Sequence, residues 1–251
     1  MIRKLICLAA LVALSCGAIN YHGVVARKKV AGGGGAPAWG TYGTSTGEIL
    51  FAWDGSSASG NTVGYDDTES EVSGTLTAAT ISGTGEDAYL VFDADEDRLT
   101  FTHAINTDNP ITVCIEFQLE TNAAIQGLFE ITDGSSSDFI TGQVRGNETL
   151  RLGWKDGGGT IVYSAITSGT VTDDGTTWNN VMFSSRIDAG NDMAASSNGT
   201  TYDDEADRDI TALDSAAVDI IIGNLYVING TTVRNIRRFA IIAGWEQAIP
   251  W

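Results

Sequence analysis

Three side chains in mid-chain have types and spacing suited to acid–base chemistry. Glu116, Gln118 and Glu120 recur at every second residue. Successive side chains on a β-strand point to opposite faces, so all three project from one face. Two carboxyl groups about 5–5.5 Å apart can cleave a glycosidic bond with retention, one as nucleophile and one as acid. Strand positions i and i+4 stand ~13 Å apart, so Glu116 and Glu120 would need side-chain reach to cooperate. The plainer reading is a polar strand face that does no chemistry. Other catalytic groups are scarce. His103 is the one histidine after residue 35, and Cys114 the one cysteine there. His103 reads as a satisfied or exposed strand residue, and Cys114 as a small side chain packed on a sheet. A lone cysteine with one histidine cannot build a four-ligand zinc site.

The element that positions these three side chains is Ile111-Thr-Val-Cys-Ile-Glu-Phe-Gln-Leu119, which Glu120 extends. Ile111, Val113, Ile115, Phe117 and Leu119 form its apolar face and pack across a core, with Trp154 and Phe183 as expected partners. Further strands are expected at Ile49–Trp53, Leu76–Ile81, Ala88–Phe92, Leu99–Phe101, Leu128–Ile131, Phe139–Val144, Thr149–Trp154, Ile161–Tyr163, Trp178–Ile187, Ala194–Ser197, Val218–Ile222 and Ile236–Ala243. Asp, Gly, Asn and Ser pairs punctuate them, among them Asp54-Gly55, Asn198-Gly199 and Asn229-Gly230. Ala88–Phe92 and Leu99–Phe101 read as a β-hairpin around the turn Asp93–Asp97. Strands recur every 8 to 14 residues without intervening helical periodicity. That excludes a parallel α/β sheet and favours an all-β, two-sheet antiparallel sandwich.

Composition agrees. The chain has 251 residues with 30 glycines, 3 prolines and a 43% hydrophobic fraction, enough for a core. Residues 1–35 hold Arg3, Lys4, Arg27, Lys28 and Lys29 and no acid. Residues 36–251 hold 9 basic against 32 acidic residues, a net of −23. A phosphate backbone would be repelled, which excludes nucleic acid as a partner. The N-terminus has a basic start, the apolar run Leu5–Leu14 and small residues at Ser15–Ala18, the pattern of a secretory signal peptide. Ala13-Leu-Ser-Cys16 is a partial lipobox that would put a lipid on Cys16. Gly32–Gly35 is a flexible tether. Residues 1–35 are therefore set apart from a domain at 36–251, expected to be secreted or surface-displayed.

The acidic loops are candidate sites for a hard cation. Asp93, Asp95 and Asp97 have the odd-position spacing of a calcium loop, but Arg98 fills the place that an EF-hand gives to glycine. Asp203, Asp204, Asp207 and Asp209 form a second cluster, and Asp133 with Asp138 a third. A solvated turn is the simpler reading of each cluster. For a sugar ligand the aromatic candidates are Trp39, Tyr65, Tyr202 and Tyr226, which lie in loop-like stretches, beside Glu116 and Gln118. Trp53, Trp154 and Trp178 lie on or beside strands and are expected in the core. Asn147, Asn198 and Asn229 head glycosylation sequons, which matter only in a eukaryotic secretory route.

Five features come in a telling order: Tyr89-Leu-Val-Phe-Asp93 with its acidic turn and Leu99-Thr-Phe101; Ile111–Leu119; Asp174-Gly-Thr-Thr-Trp178 before Val181-Met-Phe183; Ser197-Asn-Gly199; and Ile221-Ile-Gly223 with Phe239–Trp245. This order, over residues 48–250, resembles the concanavalin A-like (laminin-G-like) jelly-roll superfamily. The resemblance implies a jelly-roll sandwich, and a structural Ca²⁺ as in several relatives. Relatives include glycan-binding modules, adhesion domains, virion appendage domains and hydrolases, so the fold does not choose the function. The glycosidases of the superfamily carry Glu-x-Asp-x-(x-)Glu on one strand, and Gln118 stands where that pattern has Asp. The expectation is a non-catalytic recognition module for glycan or a cell-surface protein. The alternatives are a structural appendage or virion component, and a polysaccharide hydrolase using Glu116 and Glu120.

Overall fold

The computed structural model describes residues 48–55, 62–66, 70–84, 87–94, 96–119, 125–133, 138–146, 148–155, 159–164, 171–187, 193–197, 200–205, 213, 219–223, 231–232 and 235–244. Among these the regular elements are all strands. In chain order they are β1 (Ile49–Asp54), β2 (Val63–Asp66), β3 (Glu71–Thr77), β4 (Thr80–Ser82), β5 (Tyr89–Val91) and β6 (Arg98–Thr102). Next come β7 (Ile111–Gln118), β8 (Ile125–Thr132), β9 (Phe139–Arg145), β10 (Thr149–Lys155), β11 (Val162–Tyr163) and β12 (Asn179–Ser185). The last are β13 (Met193–Ser197), β14 (Thr200–Glu205), β15 (Asp219–Gly223), β16 (Thr231–Thr232) and β17 (Asn235–Ala243).

Two layers result. In the first sheet β14, β13, β12, β7 and β17 lie side by side. The far edge of β17 is shared by β5, which carries β4, and by β1, which carries β2. The second sheet runs β3, β6, β15, β8, β9, β10, β11. Pairing is antiparallel except between β16 and β8. β3 pairs with β2 of the first sheet and β6 of the second, so it turns the corner between them. The all-β antiparallel sandwich expected from the strand spacing is the fold observed.

The expected apolar face of β7 is at the centre. Ile111, Val113, Ile115 and Phe117 join one core cluster with Leu99, Phe101, Phe129, Ile131, Leu152, Trp154, Ile220 and Ile222 of the opposite sheet. Trp53 and Trp154 are fully buried in it, as expected. Phe183 shares the cluster, but it stands beside Val113 on the neighbouring strand of the same sheet.

Some expectations fail for local reasons. The hairpin of 88–101 does not form: Leu90 pairs with Ile236 in the first sheet and Leu99 with Ile222 in the second. Both leucines are core residues approaching from opposite layers, so the acidic turn spans the sandwich edge. The strand expected at Leu76–Ile81 breaks into β3 and β4 at Ala78, whose φ is 58°. Tyr65 is a strand residue of β2, and Asp203 and Asp204 belong to β14 and not to a loop.

Candidate functional site

The polar face of β7 does not simply meet water. Cys114 is fully buried in a small apolar cluster with Ala52, Met182, Ala240 and Ile242, on the side of the sheet away from the main core. Cross-strand partners share a face, so Tyr65, Ala52, Ala240, Cys114, Met182 and Ser196 form one row across six strands. All are buried. The next row is charged and polar: Asp54, Arg238, Glu116 and Asn180 on β1, β17, β7 and β12.

Glu116 is the anchor of that row. It is 4% exposed, and both oxygens are committed. Arg237 donates from Nε to Oε2 at 2.8 Å and from Nη2 to Oε1 at 2.5 Å. Nε of Arg238 stands 3.6 Å from Oε2, beyond hydrogen-bond range. Neighbouring strand residues normally face opposite ways, yet both arginines face Glu116. The cause is a β-bulge. Ile236 pairs with Phe117 and Arg238 with Glu116, which leaves Arg237 as the extra residue. The bulge falls where the other neighbour of β17 changes from β5 to β1; there the Gly55 amide donates to the Arg237 carbonyl. Hydrogen bonding to Glu116 raises the Arg237 pKa above its ordinary value, against the opposing effect of burial; the charges of Glu116 and Asp87 add to the rise.

An aromatic platform adjoins the bulge. The Arg237 guanidinium carbon lies 4.5 Å from the centroid of the Trp178 ring. Tyr89 on β5 meets Trp178 edge-on, with ring centroids 5.7 Å apart. Tyr89, Trp178, Arg237 and Arg238 are all half-buried. Trp178 was expected in the core. It is held out of it because residues 174–177 form a side-chain-capped turn just before β12. Asp174 accepts from the amides of Thr176 and Thr177 at 2.8 and 2.6 Å and from both their hydroxyls. The Thr177 hydroxyl and these amides hold the Asp174 carboxyl well below the usual carboxylate range. Gly175 supplies a φ of 70° in the turn. Gln118 ties the turn to the sheet: its Nε2 donates to the Thr176 carbonyl at 2.6 Å, and its Oε1 accepts from Asn235 at 2.6 Å.

The expected site residues thus meet different ends. Glu116 and Gln118 both support the platform. Glu120 lies outside the described residues. Tyr65, expected in a loop-like stretch as a sugar-binding aromatic, is buried on its strand, and burial raises its phenol pKa, with Glu71 and Asp54 adding to the rise. Trp39, Tyr226, Asp95, Asp207 and Cys16 lie outside the described residues, as do the side chains of Tyr202, Asp203 and Asp204. Asp93 is exposed and Asp97 buried. Asp97 caps its turn, accepting from the amides of Asp93 and Ala94 at 2.7 and 3.0 Å. Among the described residues no three His, Cys, Asp or Glu side chains are grouped to hold a metal ion. His103 is half-buried, its ring 5.8 Å from that of Phe51. Tyr89, Trp178, Arg237, Arg238 and Asn235 were missed as site residues.

No family model matches the sequence, and no curated protein is similar to it. Solved structures do share the fold. The binding domain of Paraclostridial Mosquitocidal Protein 1 superposes with a TM-score of 0.57 at 12% identity, over 79% of this chain and 49% of that one. The botulinum neurotoxin serotype D ligand-binding domain in complex with N-acetylneuraminic acid gives 0.58 at 12%, over 79% and 48%. The NanB sialidase of Streptococcus pneumoniae gives 0.50 at 12%, over 63% and 26%. The chain spans about half the length of the toxin domains it matches. At such identity the likeness is one of all-β fold.

Proposed function

We propose that residues 36–251 form a non-catalytic recognition module of concanavalin A-like type, secreted or surface-displayed, that binds glycan. The ligand rests on the platform of Trp178 and Tyr89 beside Arg237 and Arg238. One observation carries the reading: a half-buried indole and phenol are fixed next to the Arg237 guanidinium, with Arg238 beside the same Glu116, and the turn preceding Trp178 is pinned at Asp174 and Gln118. An apolar ring face beside preset polar groups suits the faces and hydroxyls of a sugar ring. Fold neighbours named as receptor- or ligand-binding domains, one of them holding N-acetylneuraminic acid, support it. The hydrolase alternative loses support at Glu116, whose two oxygens are occupied by Arg237 and not open to a substrate.

The test is binding of the full chain to an array of immobilised glycans, wild type against Trp178→Ala. Loss of one large aromatic contact should lower affinity by at least about tenfold while the thermal transition stays cooperative. Binding that survives Trp178→Ala unchanged places the ligand elsewhere. Hydrolysis of any glycan that bound would overturn the non-catalytic reading.

A further inference from the structure

The platform is rich in donors, and that bears on what it binds. The Arg237 guanidinium spends Nε and Nη2 on Glu116, and Nη1 makes no hydrogen bond among the described residues. Arg238 makes one ionic contact among the described residues, the 3.6 Å approach to Glu116, so its fork of N–H donors is uncommitted. The Tyr89 hydroxyl and the Trp178 indole N–H make no hydrogen bond among the described residues. The side chains of Arg237 and Arg238 are 21% and 22% exposed, open enough to reach a ligand and buried enough for a charge to be felt. Among the described residues three acids are tied to these arginines by contact, register or charge. Glu116 is bound up by Arg237. Asp54 is Arg238's cross-strand neighbour. Asp87 is exposed and acts on Arg237 through its charge alone.

Resting on the platform as the glycan site, we infer that its ligand carries an anionic oxygen group, a carboxylate or a sulfate ester on the sugar, gripped by the free fork of Arg238. Guanidinium matches such groups with two parallel hydrogen bonds, which lysine cannot reproduce. Bulk attraction cannot mimic this, because the chain as a whole carries −18 and repels polyanions. A preference for an anionic over a neutral sugar must therefore arise locally.

The experiment measures binding of the full chain to two matched pairs: polygalacturonate against its methyl ester, and dextran sulfate against dextran. Wild type should favour at least one anionic member. Arg238→Ala should erase that preference, a loss of about 10–100-fold for the anionic member. Arg238→Lys should recover only part of it. The pair that shows the preference identifies the group as carboxylate or sulfate. Equal binding to both members of each pair, abolished by Trp178→Ala, would overturn the anionic ligand and leave the glycan platform standing. An anionic preference that persists in Arg238→Ala would overturn Arg238 as its source. Binding to none of the four polymers would count against both readings.

Discussion

Glu116→Gln isolates what holds the platform. The substitution keeps the shape and removes the charge from a group that is 4% exposed and accepts two hydrogen bonds from Arg237. Hydrogen bonds to charged groups contribute about 1.5–3 kcal/mol each, and a glutamine oxygen can still accept one. A fifth of the Arg237 side chain meets solvent, which lowers the value of the pair. The expected loss is therefore about 1.5–3 kcal/mol, one charged hydrogen bond's worth. For a domain of this size that is about 3–12 °C in Tm. The assay is urea unfolding followed by tryptophan fluorescence, on Glu116→Gln, Arg237→Ala and the double variant. The cycle should give a coupling of about 1.5 kcal/mol or more, because either single change leaves a partner stranded. A coupling under about 0.5 kcal/mol would mean that the pair behaves as a solvated surface contact, and the argument for a rigid platform would fail.

Two further outcomes follow from the turn and the glycines. The Asp174 carboxyl is held below its ordinary pKa, so its contribution is complete above the unfolded value of about 3.9 and fades as pH falls toward the folded one. Asp174→Asn should lower Tm and ligand affinity together at neutral pH, with a Tm gap from wild type that narrows below about pH 4; an equal gap at pH 3 and pH 7 would contradict this. Gly223 has a φ of 99°, and an added Cβ would lie 2.3 Å from a Phe92 ring carbon, whereas at Gly244, with a φ of 111°, it would meet nothing within 4 Å. Chemical denaturation should show Gly223→Ala losing about 2–5 kcal/mol and Gly244→Ala only about 1–2 kcal/mol, with similar losses ruling out the clash as the cause.

Period-2 alternation carried most of the fold. β7 reads directly from Ile111 to Gln118, because its two faces meet different surroundings and the residue types sort accordingly. What a strand pairs with is less legible. Leu90 and Leu99 are close in sequence and both apolar inward, and nothing local tells a hairpin from an arch between sheets; the long-range partners Ile236 and Ile222 decide it. Burial misled at Tyr65 and Trp178 for the same reason. Each was judged by its neighbours in sequence, while its surroundings are set by β1 in one case and by β5 and β17 in the other.

The bulge was legible, although it took the structure to show what it means. The inward residues of β17 are Ile236, Phe239 and Ile241, a gap of three followed by a gap of two. A strand that keeps its apolar face toward the core across a gap of three must carry one extra residue, and here the gap is filled by Arg237 and Arg238. Two adjacent arginines in a chain of 32 acids and 14 bases are already conspicuous. Flat pairing would have sent one of them into the core, at a cost no partner there could offset. The bulge instead turns both onto the outer face, where Glu116 can satisfy only one. The irregularity that keeps a charge out of the core is the same one that leaves the Arg238 guanidinium unspent beside the Glu116–Arg237 pair, so removing the bulge by deleting Arg237 should cost stability and ligand binding in one step.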